Sequence, residues 1–243
     1  VPRIRGNPCL EKVLQATAQL KAYAGDECPI IGVVMSPFSV PVMQLGFGPT
    51  LDLLLERPAL FEQLLRLNEE FCVAWANAQL EAGATAICYF DPVSSSTIIP
   101  REIYLRTGFL AAQHTVARIK GATAAHLASG RVLPILPDIL RTGVAVVGVS
   151  CQEDLAELKA ISTGKVSLLG NLNGIEMRHW SPQEAEARVR QAIAQAGTGG
   201  GFILADNHGE IPWQVPEETL LAIAEAARRW GRYPLDWTDS LGR

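Results

Sequence analysis

The sequence predicts an α/β protein built on a parallel sheet, and three observations carry that prediction. Six short apolar runs, at residues 29–35, 85–90, 123–127, 145–149, 166–169 and 201–205, recur along the 243-residue chain. Most are uninterrupted by polar residues, as in strands of a parallel sheet covered on both faces. Each run passes into a helix-length segment of good helix formers, which makes the pattern a βα repeat.

Taken in order, residues 8–23 read as a helix ahead of the first run. Residues 184–196 form a clear helix, because Ser181 can cap it and Pro182 suits its first turn. Residues 217–230 form another that opens after Pro216. The cluster Gly197-Thr198-Gly199-Gly200-Gly201 directly precedes a strand, so it reads as an αβ turn; a phosphate loop would follow the strand and open a helix. No GxGxxG follows the first strand, which speaks against a classical dinucleotide fold. No linker rich in Gly, Ser or Pro separates halves, so residues 1–243 read as a single domain. Six βα units are two short of an eightfold barrel. An open sheet, and a barrel whose first two units lie upstream of Val1, both satisfy the count.

Composition excludes several classes. Hydrophobic residues make up 48% of the chain and charged residues 19%, enough apolar surface to offset the entropy of ordering the backbone. Lys and Arg number 21 against 25 Asp and Glu, a formal charge of −4, which argues against nucleic acid as a partner. No apolar run approaches the ~20 residues needed to span a bilayer, so no membrane role is expected. Residues 1–5 lack the apolar core of a signal peptide. They also lack an initiator Met, so the chain is expected to be processed, trimmed or numbered from an internal point. The five cysteines form no CxxC pair and are odd in number. They are expected to be reduced thiols in a cytoplasm, each a buried small hydrophobe.

Polar residues gather where the strands end, which is where parallel α/β sheets collect their chemistry. The ends read Ser36-Pro37-Phe38-Ser39, Tyr89-Phe90-Asp91-Pro92, His126-Leu127-Ala128-Ser129, Ser150-Cys151, Asn171-Leu172-Asn173-Gly174 and Asp206-Asn207-His208-Gly209-Glu210. Six polar ends in register suggest a pocket. Asp91 suits a turn cap as well as a catalytic carboxylate, and His126 suits a core position as well as a functional one. Asp206 and His208, two residues apart, share one side of an extended strand end. His114 and His179 read as bland, and Arg228-Arg229 and Glu69-Glu70 as solvated helix faces. A catalytic Zn²⁺ needs three protein ligands and an open position. His126 and His208 can supply two, and Asp206, Cys151 or Glu210 a third. No GxSxG elbow supports a serine hydrolase.

At these residues the chain resembles the uroporphyrinogen decarboxylase superfamily. The segment Pro29-Ile30-Ile31-Gly32 with Ser36-Pro37-Phe38-Ser39 is similar to one strand of that family. So are Glu81-Ala82-Gly83-Ala84 with Phe90-Asp91-Pro92, the turn Leu169-Gly170-Asn171-Leu172-Asn173, and the closing Gly200-Gly201-Phe202-Ile203-Leu204 with Asn207-His208-Gly209 and Pro216-Glu217-Glu218. The resemblance runs from about Pro8 to Asp236. It implies an α/β fold, a (β/α)8 TIM barrel of uroporphyrinogen decarboxylase type. About six of the eight βα units are then present, the first two lying upstream, and sheet edges are exposed on both sides of the gap.

Two branches of the superfamily bear on function. Its decarboxylases bind a tetrapyrrole without metal and carry a His-Gly near the last strand, which His208-Gly209 matches. Its cobamide-dependent methyltransferases hold zinc with a His-x-Cys after a central strand and a distant Cys. Here His126 matches the first ligand, Ala128 stands in place of the Cys, and His208 stands near the second Cys. The loop Pro37-Phe38-Ser39-Val40-Pro41-Val42-Met43 and the turn Asn171-Leu172-Asn173-Gly174-Ile175-Glu176-Met177 look closer to the methyltransferases. The resemblance thus implies methyl transfer linked to a corrinoid protein, from a small O-methyl or N-methyl donor. Zinc on His126 and His208, joined by Asp206, would act as a Lewis acid. Asp91, Asp206 and His208 are the expected catalytic residues, and Asp206 could instead fix the His208 tautomer. Phe38, Tyr89, Asn171 and Asn173 are expected to bind substrate. The alternatives are a decarboxylase, needing no cofactor, and a non-catalytic scaffold for a corrinoid protein. A decarboxylase needs cations at the mouth, and Arg101 and Arg131 are the nearby candidates. A homodimer is a further expected assembly.

Overall fold

Asn7 accepts hydrogen bonds from the backbone N–H groups of Cys9 and Leu10, and Pro8 follows it, so α1 (Pro8–Ala24) starts with a capped end and a preset φ. The computed structural model describes residues 3–241, with side chains to 238. The expectation placed on Val1 and Pro2 lies outside the described residues. The chain packs as two compact units, one running to Leu127 and including Pro137–Ala145, the other made of Ala128–Leu136 and Val146 onward.

In the first unit α1 is followed by β1 (Ile31–Met35), α2 (Val40–Leu45), α3 (Phe47–Glu56), α4 (Pro58–Glu81), β2 (Ala86–Phe90), α5 (Arg101–Arg106), α6 (Gly108–Val116) and β3 (Thr123–His126). Strand β2 lies between β1 and β3 and runs parallel to both. The stretch after β1 divides into three helices, because Gly46, at φ 90°, ends α2 and Pro58 opens α4. After β3 the expected full helix is replaced by a 3-10 turn at Leu133–Ile135 and the short α7 (Leu136–Ile139). Pro134 and Pro137 lack the N–H groups that a longer helix would need.

The strands alternate. Val34, Ile87 and Tyr89 pack with Cys72, Ala76 and Ala112 from the covering helices and with Ile119 from the loop after α6. On the other face Ile31 and Val33 stay about half exposed, at 51% and 54%. The apolar runs had suggested cover on both faces; within this unit the helices supply it on one. The outward backbone of β1 is closed by side chains of α4. Gln79 accepts from Val33 N at 3.1 Å and donates to Val33 O at 3.0 Å, while the Cys72 thiol donates to Met35 O. Gly32 makes room for this, since a Cβ there would lie 2.9 Å from both Gln79 Oε1 and Ile87 Cδ1.

The second unit runs β4 (Val146–Gly148), α8 (Leu155–Ser162), β5 (Ser167–Leu172), α9 (Pro182–Ala196), β6 (Phe202–Asp206) and α10 (Glu217–Trp230). Strand β5 pairs with β4 and β6, again in parallel. Ser181 caps α9 as expected. Gly199, Gly200 and Gly201, at φ 79°, 76° and 69°, make the turn into β6 that the sequence indicated. Glu186 on α9 accepts from Trp230 Nε1 and Arg229 on α10, both at 2.9 Å. Among the described residues no helix is long and apolar enough to cross a membrane.

The Gln79 arrangement makes a specific prediction. Gln79→Ala leaves two backbone groups of β1 without their partners and should cost about 2 kcal/mol in urea unfolding. Gly32→Ala should destabilise comparably, by pushing the glutamine away. An unchanged unfolding midpoint in both variants would show that β1 does not depend on this closure.

Candidate functional site

At the end of β2, Asp91 sits 3% exposed among hydroxyls. Its Oδ1 accepts from Ser36 at 2.6 Å and from Ser39 at 2.7 Å, and its Oδ2 accepts from Ser94 at 2.6 Å. Ser39 Oγ in turn accepts from Val93 N, and Ser36 Oγ from Ser39 N. One carboxyl group thereby ties the end of β1, the start of α2 and the loop after β2. Burial pushes its pKa above the usual carboxylate range, with the hydroxyl bonds pulling it back. The backbone carries the link across the sheet, since Asp91 N donates to His126 O at 2.8 Å. Met35, Phe90 and His126 are in register on neighbouring strands, and the Phe90 and His126 rings lie 5.7 Å apart.

Two of the residues expected to bind substrate lie in the core. Phe38 is 1% exposed and stacks edge-on against Phe61 at 5.9 Å. Tyr89, also 1% exposed, belongs to the helix-facing core. Strand alternation explains the second case: Phe90 and His126 form one row, and Tyr89 points to the opposite face. The cysteines also divide. Burial pushes Cys72 up to about 12 and Cys88 up to about 11, as small hydrophobes require, but Cys9 and Cys28 are exposed.

In the second unit, three strand ends and their loops are anchored by acidic and amide side chains. Glu153 accepts from the backbone N–H of Val132, Leu133 and Ser150. Asn171 Nδ2 donates to Ser150 O at 2.9 Å, and Asn173 Oδ1 accepts from Ile175 N and Glu176 N. Asp206 Oδ2 accepts from His208 N at 2.7 Å and Gly209 N at 2.9 Å, which fixes the turn after β6. Asn171 and Asn173 line a cavity of about 440 Å³ together with Cys151, Glu176, His179 and Arg188. Burial raises the Cys151 thiol above its ordinary value, while the Asn207 amide beside it pulls the other way. His208 keeps its Nδ1 buried and without a hydrogen-bond partner among the described residues.

Among the described residues no group of three or more His, Cys, Asp and Glu side chains is gathered as a metal requires. His126 belongs to the first unit, and Asp206 and His208 to the second. Ala128, where the resemblance puts a thiolate, offers no ligand atom and sits at φ 51°. Zinc therefore does not fit the donor set that either unit assembles by itself.

Comparison with known proteins settles the family. The family model for uroporphyrinogen decarboxylase (URO-D) matches residues 2–230. The chain belongs to the uroporphyrinogen decarboxylase family. It is 29% identical to the methylcobamide:CoM methyltransferase MtaA of Methanosarcina barkeri, over 88% of this chain and 62% of that one. It is 27% identical to a uroporphyrinogen decarboxylase of Nitrosospira multiformis, over 96% of this chain and 67% of that one. A solved methyltransferase from Methanosarcina mazei superposes with a TM-score of 0.81 at 23% identity, covering 92% of this chain and 65% of that one. The parallel strands with alternating helices are the TIM-barrel-like α/β fold of these neighbours. The chain spans 62% to 67% of the length of these relatives.

Within the family frame, the structure brings Asp206 and His208 together, and Asn171 with Asn173. It surrounds Asp91 with serines that the sequence had shown only as polar punctuation. Sequence reasoning missed Glu153, two of whose three partners lie about twenty residues upstream with no pattern to announce them. It passed over Asn207, which stood between two more conspicuous titratable residues.

Asp91 predicts a pH dependence. Its folded pKa is raised, so the folded state holds the proton more tightly than the unfolded chain. The resulting stability is full below the unfolded pKa of about 3.9 and is lost as pH rises through the folded value. The slope is at most about 1.4 kcal/mol per pH unit. Urea unfolding of Asp91→Asn across that range should lack this decline; an identical profile in both proteins would show the carboxyl is not its source.

Proposed function

We propose that the chain forms part of a uroporphyrinogen decarboxylase-family methyltransferase that moves a methyl group between a small substrate and a corrinoid carried by a partner protein. The observation that carries the reading is the chemistry of the strand ends. Carboxylates and amides dominate them, the two arginines that the sequence offered for substrate carboxylates are engaged elsewhere, and Arg188 on the cavity lining pairs with Glu184. Arg101 makes a two-point pair with Asp138 at 2.7 and 3.0 Å, and Arg131 donates to Gln152. Such a surface disfavours a polycarboxylate and suits a neutral or cationic methylated molecule. The likeness to the Methanosarcina methylcobamide:CoM methyltransferase supports the same direction.

In this reading the corrinoid supplies or takes up the methyl group. The chain's own residues position the substrate and manage its proton. Asp206 holds the turn that presents His208, and His208 Nδ1 exchanges the proton that the demethylated oxygen or nitrogen gains. Asp91 acts as a positioning residue, because its oxygens are occupied by serine hydroxyls. Asn171 and Asn173 shape the cavity wall. Decarboxylation is the second reading, supported by the likeness to the Nitrosospira enzyme over 96% of this chain.

The test presents the protein with methylcobalamin and, separately, with uroporphyrinogen. Methyl transfer should bleach the methylcobalamin absorbance in the presence of an acceptor. His208→Ala should slow it by about 100-fold, as loss of a general acid–base group does. Release of CO₂ from uroporphyrinogen with no change in methylcobalamin would replace the first reading with the second.

A further inference from the structure

The cavity of about 440 Å³ lies wholly within the second unit, and one face of α9 walls it. Glu184, Arg188, Gln191 and Gln195 line it, and helical spacing puts these four on one stripe of the helix. The adjoining stripe, with Ala185, Val189 and Ala196, is buried. Facing α9 are the end of β5, with Asn171 and Asn173, and the start of α8. Buried Leu155, Leu172 and Trp180 give the lining its apolar part.

Most of the charge on this lining is already committed. Glu153 accepts from three backbone N–H groups, and Asp154 Oδ1 accepts from Ala156 N and Glu157 N at the start of α8. Glu184 pairs with Arg188 at 3.3 Å. Glu176 is the lining carboxylate left without a partner among the described residues. The amides are committed only in part. Asn171 is anchored through Nδ2, which donates to Ser150 O, and its Oδ1 stays open. Asn173 is anchored through Oδ1, which accepts from Ile175 N and Glu176 N, and its Nδ2 stays open. The side-chain amides of Gln191 and Gln195 have no partner among the described residues. The open groups therefore include both donors and acceptors.

We propose that this cavity binds a neutral, hydroxyl-rich molecule of the sugar class. A hydroxyl both donates and accepts, and so answers open amide N–H and C=O groups alike. The C–H faces of a sugar ring suit the apolar part of the wall, and the volume falls within the range of small-molecule sites. An ammonium group only donates, so the open N–H groups of Asn173, Gln191 and Gln195 would lose water without gaining a partner. A carboxylate would meet Glu176, and the guanidinium on the lining is already held by Glu184. The inference deepens the proposed function by giving its substrate a hydroxyl-rich part. It rests on that reading only for the use to which the bound molecule is put.

The experiment titrates D-glucose and myo-inositol into the ¹⁵N-labelled protein and follows the side-chain NH₂ resonances of Asn173, Gln191 and Gln195. Propylamine and propionate are the charged comparators. At least one polyol should shift these resonances and saturate, and each comparator should bind more weakly than that polyol. The double variant Gln191→Leu, Gln195→Leu should weaken the polyol by about tenfold, as the loss of two hydrogen bonds does, read on the Asn173 resonance. Gln191→Ala alone, at an exposed position, should weaken it in the same direction and serves if the double variant folds poorly. No saturable shift with either polyol, unchanged affinity in the glutamine variants, or a charged comparator that binds as tightly would overturn the proposal. Polyol binding in a protein that transfers no methyl group would uphold the site and reject the methyltransferase reading alone.

Discussion

A carboxylate removed from water must find its hydrogen bonds inside the protein, and Asp91 finds them on serines from two other segments. Its three hydroxyl donors come from the end of β1, the start of α2 and the loop after β2. Because each donor is itself buried, none can turn to solvent if the carboxylate is lost. The positions of Ser36, Ser39 and Ser94 therefore follow from that of Asp91. The same economy recurs in the second unit, where Glu153 gathers three backbone N–H groups and Asp206 gathers two. Strand-end acids in this chain hold loops.

This use of acids divides the labour. Groups whose hydrogen-bonding capacity is filled by the fold position the backbone, and in the proposed reading a group left unfilled is the one that serves chemistry. Asp91 and Glu153 fall on the first side. The His208 Nδ1 and the Asn207 amide, at the end of β6, are left unfilled among the described residues, and in the proposed reading His208 serves the chemistry. Asp206 links the two, since it fixes the turn on which both unfilled side chains sit. Gln79 shows the same logic away from the site: its amide stands in for a neighbouring strand along the outward backbone of β1.

Much of the fold was legible in the sequence because apolar runs and helix caps are local signals. All six strands fall on the six runs, and Ser181, Pro182 and the glycines before β6 act as their types suggest. The family was legible because its motifs stand in order at the strand ends. The segment after β3 was not, since Pro134 and Pro137 shorten a helix that composition alone would extend. The core position of Tyr89 was not legible for a related reason: nearness to a strand end does not say which face a side chain takes. That depends on register, and register needs the neighbouring strands. Glu153 and the serine cradle escaped because their partners are distant in sequence, joined only once the chain has folded.

The division of labour is tested most directly by comparing Asp91→Asn with His208→Gln in one methylcobalamin assay, with the folded fraction of each protein measured alongside. Asp91→Asn should lose stability yet keep most of its activity per folded molecule. His208→Gln should keep its stability and lose activity by about 100-fold. Full stability with lost activity in Asp91→Asn, or full activity in His208→Gln, would contradict it.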